Sequence, residues 1–226
     1  MLADAASRIA FLLDMDGVLI HSTPIHNEAW RRYLERHGIV RDLESIQRVM
    51  LGKHNDDIVR AFLGNHLSPA EIARHGAEKE KLYRELMAPR LEELLVAGVR
   101  EFLRRYRHVP MGLASNAEPA NVDFVLERSG LRPFFRAVLD GQQVARPKPD
   151  PEIYVTLARQ LGVAPQEAIV FEDSATGIEA ARRAGARVVG VATTTAELDG
   201  ASITVRDFRD PALEAWLARL GLRGEG

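Results

Sequence analysis

The sequence predicts an α/β fold, in which a parallel sheet carries helices on both faces and a small all-helical unit is inserted after the first strand. Three observations carry this prediction. The run from Ile9 to Leu13 has the length and unbroken hydrophobicity of a strand buried on both faces. From Val109 onward, short apolar runs alternate with stretches of helical periodicity, which implies right-handed crossovers between parallel strands. Between these regions, residues 22–87 contain no run of strand character. The expected division is a core of residues 1–21 and 88–226 and a helical insert of residues 22–87.

Taken in order, the first strand ends abruptly on Asp14-Met15-Asp16-Gly17, where glycine lets the chain turn in a conformation closed to most residues. Ser22 or Thr23 can cap the next helix, with Pro24 in its first turn and Ile25, Ala29, Tyr33 and Leu34 on its apolar face before Gly38 stops it. A second helical stretch follows Gly52-Lys53-His54-Asn55-Asp56, with Ile58, Val59, Phe62 and Leu63 inward. A third opens at Ser68-Pro69-Ala70-Glu71, a capping-box pattern, and runs through Leu86. Helices are then expected at Val99 to Tyr106, Pro119 to Arg128, from Asp150-Pro151 to Leu161, at Ser174 to Ala184, and after Asp210-Pro211. The strands between them are Val109 to Ala114, Ala137 to Leu139, Ala168 to Phe171, Arg187 to Val191 and Ile203 to Val205. Trp30 and Trp216 fall at core positions by helical spacing.

Composition narrows the chemistry. With 46% hydrophobic and 27% charged residues the chain is globular, and its formal net charge of -2 gives no electrostatic case for nucleic acid. The lack of cysteine excludes disulfides, thiolate metal sites and cysteine nucleophiles. The opening residues lack the basic flank and long apolar stretch of a signal peptide, so a cytoplasmic protein without membrane association is expected, as a monomer or weak homo-oligomer. Six of the seven histidines lie between His21 and His75, scattered and without an H-x-x-x-H pair or a carboxylate at ligand spacing, which argues against a metal site there. His26 stands out because it follows closely on the aspartates.

Three expected strands end in polar residues of distinct chemistry: Asp14 and Asp16, then Ser115-Asn116, then Glu172-Asp173. A fourth element, Arg146-Pro147-Lys148-Pro149, restrains one lysine between prolines. Each has a plain alternative, as a capped turn, a helix cap or a surface charge. Together, at one edge of a parallel sheet, they suit phosphoryl transfer, with one carboxylate attacking phosphorus and another handling a proton. A phosphate dianion approaches such carboxylates only with compensation, which Lys148, the Ser115 hydroxyl and a hard cation on Asp14, Asp173 and Glu172 can provide.

Four segments carry a resemblance: Asp14-Met15-Asp16-Gly17-Val18, Ala114-Ser115-Asn116, Arg146-Pro147-Lys148-Pro149-Asp150-Pro151, and the run from Phe171-Glu172-Asp173-Ser174 to Ala181. Over nearly its whole length the chain resembles the haloacid dehalogenase superfamily, in its β-phosphoglucomutase-like branch of phosphatases and mutases. The resemblance implies a Rossmann-like core with a helical cap, Asp14 as nucleophile and Asp16 as general acid and base. It also implies Ser115 and Lys148 on the phosphoryl group, with Asn116 beside them, and Mg²⁺ held by Asp14, the Asp16 carbonyl, Asp173 and, nearby or directly, Glu172. In the cap it implies that the loop carrying Gly52 and Lys53 faces the active site, where Lys53 can meet a small phosphorylated metabolite, the plain alternative being a helix entry; His26, close after the aspartates in sequence, is a further candidate contact.

The expected activity is a Mg²⁺-dependent phosphatase acting on a sugar phosphate. The alternatives are a phosphosugar mutase of the β-phosphoglucomutase type and a silent sugar-phosphate-binding module. Three departures weigh against the mutase. Asn55 stands where the mutase has an arginine, with Lys53 nearby as a candidate substitute, Glu118 where it has a basic residue after the core serine, and His21 where the branch usually has an acid. Asp16 argues against dehalogenase chemistry, because the dehalogenases of the family lack that second aspartate.

Overall fold

The computed structural model describes residues 9–50, 55–196 and 198–225. Six parallel strands form one sheet: β1 (Ala10–Leu13), β2 (Met111–Ala114), β3 (Ala137–Leu139), β4 (Ala168–Glu172), β5 (Arg187–Val191) and β6 (Ile203–Val205). Their order is β3-β2-β1-β4-β5-β6, the doubly wound arrangement, so the chain reverses its direction of winding beside β1. The helices are α1 (Thr23–Arg36), α2 (Leu43–Met50), α3 (Asn55–Leu63), α4 (Pro69–Met87), α5 (Val99–Arg105), α6 (Pro119–Arg128), α7 (Glu152–Gln160), α8 (Ala175–Ala184) and α9 (Pro211–Arg219). Two compact units result, Met1–His21 with Glu92–Gly226, and Ser22–Leu91.

In the sheet unit, β1 is buried on both faces, and its alternating side chains serve two cores. Phe11 packs among Phe102, Tyr106 and Phe171, with ring centroids 5.4 to 5.6 Å away. Ala10 and Leu12 join the opposite cluster with Ile153, Tyr154 and Leu157 of α7 and Ile178 and Ala181 of α8. The strands leading to and from the helical unit are tied to each other: His21 N donates to Leu94 O and Val96 N to Leu19 O.

The helical unit has its own core. Trp30 is fully buried and meets Phe62 of α3 with ring centroids 5.4 Å apart. Ser68 forms the capping box of α4, its hydroxyl accepting from Glu71 N while Glu71 accepts from Ser68 N. At α1 the outcome differs from expectation. Ser22 occupies the N-cap with helical backbone angles, and its side chain makes no capping bond.

Two further differences are physical in origin. Helix α2 is not among the expected helices: Leu43, Ile46 and Met50 recur at helical spacing but only Ile46 is buried, and the helix is started by Asp42, whose carboxylate accepts from Ser45 N and Ser45 Oγ. Trp216 is half-buried rather than in the core, since α9 buries Leu213 and Leu217 instead. Among the described residues, no helix is long and apolar enough to cross a membrane.

The capping box gives a direct test. Ser68→Ala removes the acceptor for Glu71 N and should lower stability by about 1 kcal/mol, read as a reduced urea midpoint of the helical signal.

Candidate active site

Register places the chemistry. Leu13 pairs with Phe171 and with Leu113, so Asp14, Glu172 and Ser115 emerge within one residue of each other along the C-terminal edge of the sheet. Asp14 N donates to Phe171 O at 3.0 Å, carrying the strand pairing into the site. This edge, at the reversal point between β1 and β4, is where open α/β sheets bind their ligands.

Lys148 is the hub. Its Nζ donates to Asp14 Oδ1 at 2.5 Å, Glu172 Oε1 at 2.8 Å and Ala114 O at 2.9 Å, which occupies all three ammonium protons. The ammonium also lies 4.9 Å from the centre of the Tyr154 ring. Burial works against its charge, but Asp14 and Glu172 outweigh burial and hold Lys148 above the ordinary lysine value.

Glu172 is saturated with donors. Oε1 accepts from Lys148 and from Tyr154 OH at 2.6 Å, and Oε2 accepts from the backbone of Asp173 and Ser174 and from Ser174 Oγ. Gly177 makes room for this carboxylate, since a Cβ at that position would fall on it. Gly17, with φ of 76°, serves Asp173 in the same way, because a Cβ there would meet the Asp173 carboxylate.

Asp14, Glu172 and Asp173 each bring a carboxylate oxygen within 4.8 Å of the others. Burial pushes Asp14 upward, Lys148 opposes the shift, and the charges of Glu172, Asp173 and Asp16 add to it. Burial and Glu172 likewise raise Asp173 to about 7, against the hydrogen bond from Thr194. Among the described residues, Asp14, Glu172 and Asp173 thus gather beside the Lys148 ammonium, and the charge of Asp16 adds to theirs. An all-oxygen donor set carrying excess negative charge fits a hard divalent cation of the Mg²⁺ type.

Ser115 is buried, and its Oγ accepts from Ala117 N at 3.0 Å, leaving the hydroxyl proton for another acceptor. Asn116 Oδ1 receives only a long contact, 3.4 Å, from Lys148 N. Asp14, Asp16, Ser115, Asn116, Lys148, Glu172 and Asp173 therefore share one edge.

His26 belongs to the helical unit. It stacks on Tyr83 with ring centroids 3.9 Å apart, and its Nδ1 accepts from Lys79 Nζ at 3.1 Å. Burial and the Lys79 charge lower it to about 3, so the imidazole is neutral. Gly52 and Lys53 lie outside the described residues.

Sequence reasoning passed over Tyr154 and Thr194, and marked Gly177 for close packing without showing that the carboxylate of Glu172 is what it admits. Only the threonine run after β5 offered a signal, being polar residues at a strand end. Thr194 Oγ1 donates to Asp173 and Thr193 Oγ1 to the Gly17 carbonyl, which ties this loop to the acidic edge.

The family model described as haloacid dehalogenase-like hydrolase matches residues 10–185. Fructose-1-phosphate phosphatase YqaB of Escherichia coli is 31% identical over 182 residues, covering 80% of this chain and 94% of the relative. Validoxylamine A 7'-phosphate phosphatase of Streptomyces hygroscopicus is 34% identical over 191 residues, covering 81% and 85%. Among solved structures, β-phosphoglucomutase of Clostridium difficile superposes with a TM-score of 0.80 at 26% identity, covering 94% of this chain and 96% of that one.

Replacing the hub tests the electrostatics. Lys148→Met leaves Asp14 and Glu172 buried without their cation and should cost about 3–5 kcal/mol in urea unfolding with chelator present. The folded variant binds more protons than its unfolded chain, so the deficit should narrow as pH falls; a small, pH-independent deficit would contradict the assignment.

Proposed function

Because this chain belongs to the haloacid dehalogenase-like hydrolase family, we propose that it is a Mg²⁺-dependent phosphatase acting on a small phosphorylated metabolite, a sugar phosphate. The observation that supports it best is Asp14 at the end of β1, held at 2.5 Å by Lys148 beside the Ser115 hydroxyl.

In this reading Asp14 attacks phosphorus and forms an aspartyl phosphate, while Asp16 gives its proton to the departing sugar oxygen. Asp16 then takes a proton from the water that attacks the aspartyl phosphate, and inorganic phosphate leaves with Asp14 restored. The Ser115 hydroxyl donates a hydrogen bond to a phosphoryl oxygen while its own oxygen accepts from Ala117 N. Lys148 offsets charge on both the nucleophile and the phosphoryl group. Asp14, Asp173 and the Asp16 carbonyl would hold Mg²⁺, which would supply further positive charge to offset that of the phosphoryl group. Glu172, saturated by protein donors, positions Lys148 and adds to the negative field that draws the cation.

The mutase reading is supported by the likeness to β-phosphoglucomutase. Against it, a mutase must grip two phosphates in alternation, and two positions where the mutase carries a basic residue hold Asn55 and Glu118 here, which leaves Lys53 as the substitute cation in that loop. Asn55 begins α3 as a neutral amide against Gly76, and Glu118 is the acidic N-cap of α6. The silent binding module would be marked by loss of Asp14 or Asp16, and both are present.

A side-by-side assay decides between the readings. With Mg²⁺, phosphate should be released from a sugar-phosphate panel with negligible glucose 6-phosphate from β-glucose 1-phosphate. Efficient isomerisation would replace the phosphatase with the mutase. Asp14→Asn should fall to background, Asp16→Asn should lower kcat about 10²–10⁴-fold, and chelation should abolish turnover until Mg²⁺ is restored.

Proton and cation compete for Asp173, which titrates near 7 in the metal-free protein. The apparent Kd for Mg²⁺ should therefore tighten between pH 6 and 8, measured calorimetrically; the opposite trend would remove Asp173 from the ligand set.

A further inference from the structure

Two of the histidines that look scattered in the sequence, His37 and His75, meet in the helical unit. His37 is the C-cap of α1, and His75 and Glu78 stand three residues apart on one face of α4. Each offers a ligand atom within 4.8 Å of the other two. The two imidazole rings lie 5.2 Å apart, and His37 lies 4.7 Å from the Tyr33 ring.

Tyr33 organises the group. Its hydroxyl proton goes to Glu78 Oε2 at 2.8 Å, so the 2.7 Å contact with His75 Nδ1 is made by the imidazole N–H. That bond selects the tautomer in which His75 Nε2 keeps its lone pair. It also leaves Glu78 Oε1 for a further partner. A buried ligating histidine whose other nitrogen is hydrogen-bonded is the usual supporting arrangement of a metal centre.

We propose that His37, His75 and Glu78 form a second cation site, selective for Zn²⁺ and related first-row divalent metals over Mg²⁺. Two nitrogens and one carboxylate suit such borderline ions, whereas the all-oxygen edge of the sheet suits Mg²⁺. Three protein ligands leave a fourth position to water, and a cavity of about 240 Å³ lined by Tyr33, His37 and Glu78 gives room and entry. Arg36 and Lys81 share its wall and Glu85 opposes them. A metal here links the end of α1 to the middle of α4, and by binding the folded form it stabilises the helical unit.

The test uses the full chain with saturating Mg²⁺, so that the sheet-edge carboxylates are occupied, and titrates Zn²⁺ by calorimetry. One equivalent of Zn²⁺ should bind, Co²⁺ should give the visible spectrum of a tetrahedral N/O site, and Zn²⁺ should raise the thermal midpoint. His37 and Glu78 are exposed, so His37→Ala and Glu78→Gln should keep the wild-type circular dichroism while losing the bound Zn²⁺ and the thermal shift. Tyr33→Phe should weaken binding about 10–100-fold by freeing the His75 ring. Absence of Zn²⁺ binding beyond the Mg²⁺ complement, or binding unchanged in His37→Ala and Glu78→Gln, would overturn the site and leave a hydrogen-bonded network only. Because the readout is binding and not turnover, failure here is separable from failure of the phosphatase reading.

Discussion

The ammonium of Lys148, fixed between Asp14 and Glu172, is the contact on which the sheet unit depends. Burying several carboxylates at one sheet edge is unfavourable unless a cation answers them, and a lone buried ammonium is equally so. Each group makes the others tolerable. The Lys148 loop is drawn onto the sheet by bonds to β1, β4 and the Ala114 carbonyl of β2, so one side chain joins three neighbouring strand ends. Charge compensation is incomplete, and the remaining negative excess is the property that makes the edge receptive to a divalent metal and, through it, to phosphate.

Backbone geometry delivers these charges. Parallel pairing of β1 with β4, and of β2 with β1 and β3, leaves little freedom in where Asp14, Ser115 and Glu172 emerge, because each follows directly on a paired residue. Two glycines then open the space that carboxylates need. Gly17 allows Asp173 to approach the turn after β1, and Gly177 lets the first turn of α8 close over Glu172. The dense hydrogen bonding of Glu172 follows from that closure.

Much of this was legible in the chain. The strands announced themselves as short apolar runs, Asp14, Asp16, Ser115, Glu172 and Asp173 stood where those runs stopped, and Lys148 was marked by the prolines on either side of it. The helical unit was less legible. Helix α2 is short and buries only Ile46 of its apolar face, and its start depends on a side-chain cap. Ser22 looked like a cap and is not one, since its backbone already has helical angles. Tyr154 reads as an ordinary apolar position of α7, and only packing brings its hydroxyl to Glu172.

The sequence by itself determined the class of fold and the chemistry of the sheet edge, because hydrophobic period and strand-end polarity are local properties written in consecutive residues. Tertiary structure alone decided that Glu172 would be consumed by protein donors, that Asp173 would be raised to about 7, and that His37 would meet His75 and Glu78. Those outcomes depend on groups far apart in the chain arriving within a few ångströms. Distance in space, and the loss of water that accompanies burial, set the charge state of a carboxylate or the lone pair of an imidazole, and neither is a property of a single residue or its neighbours in sequence.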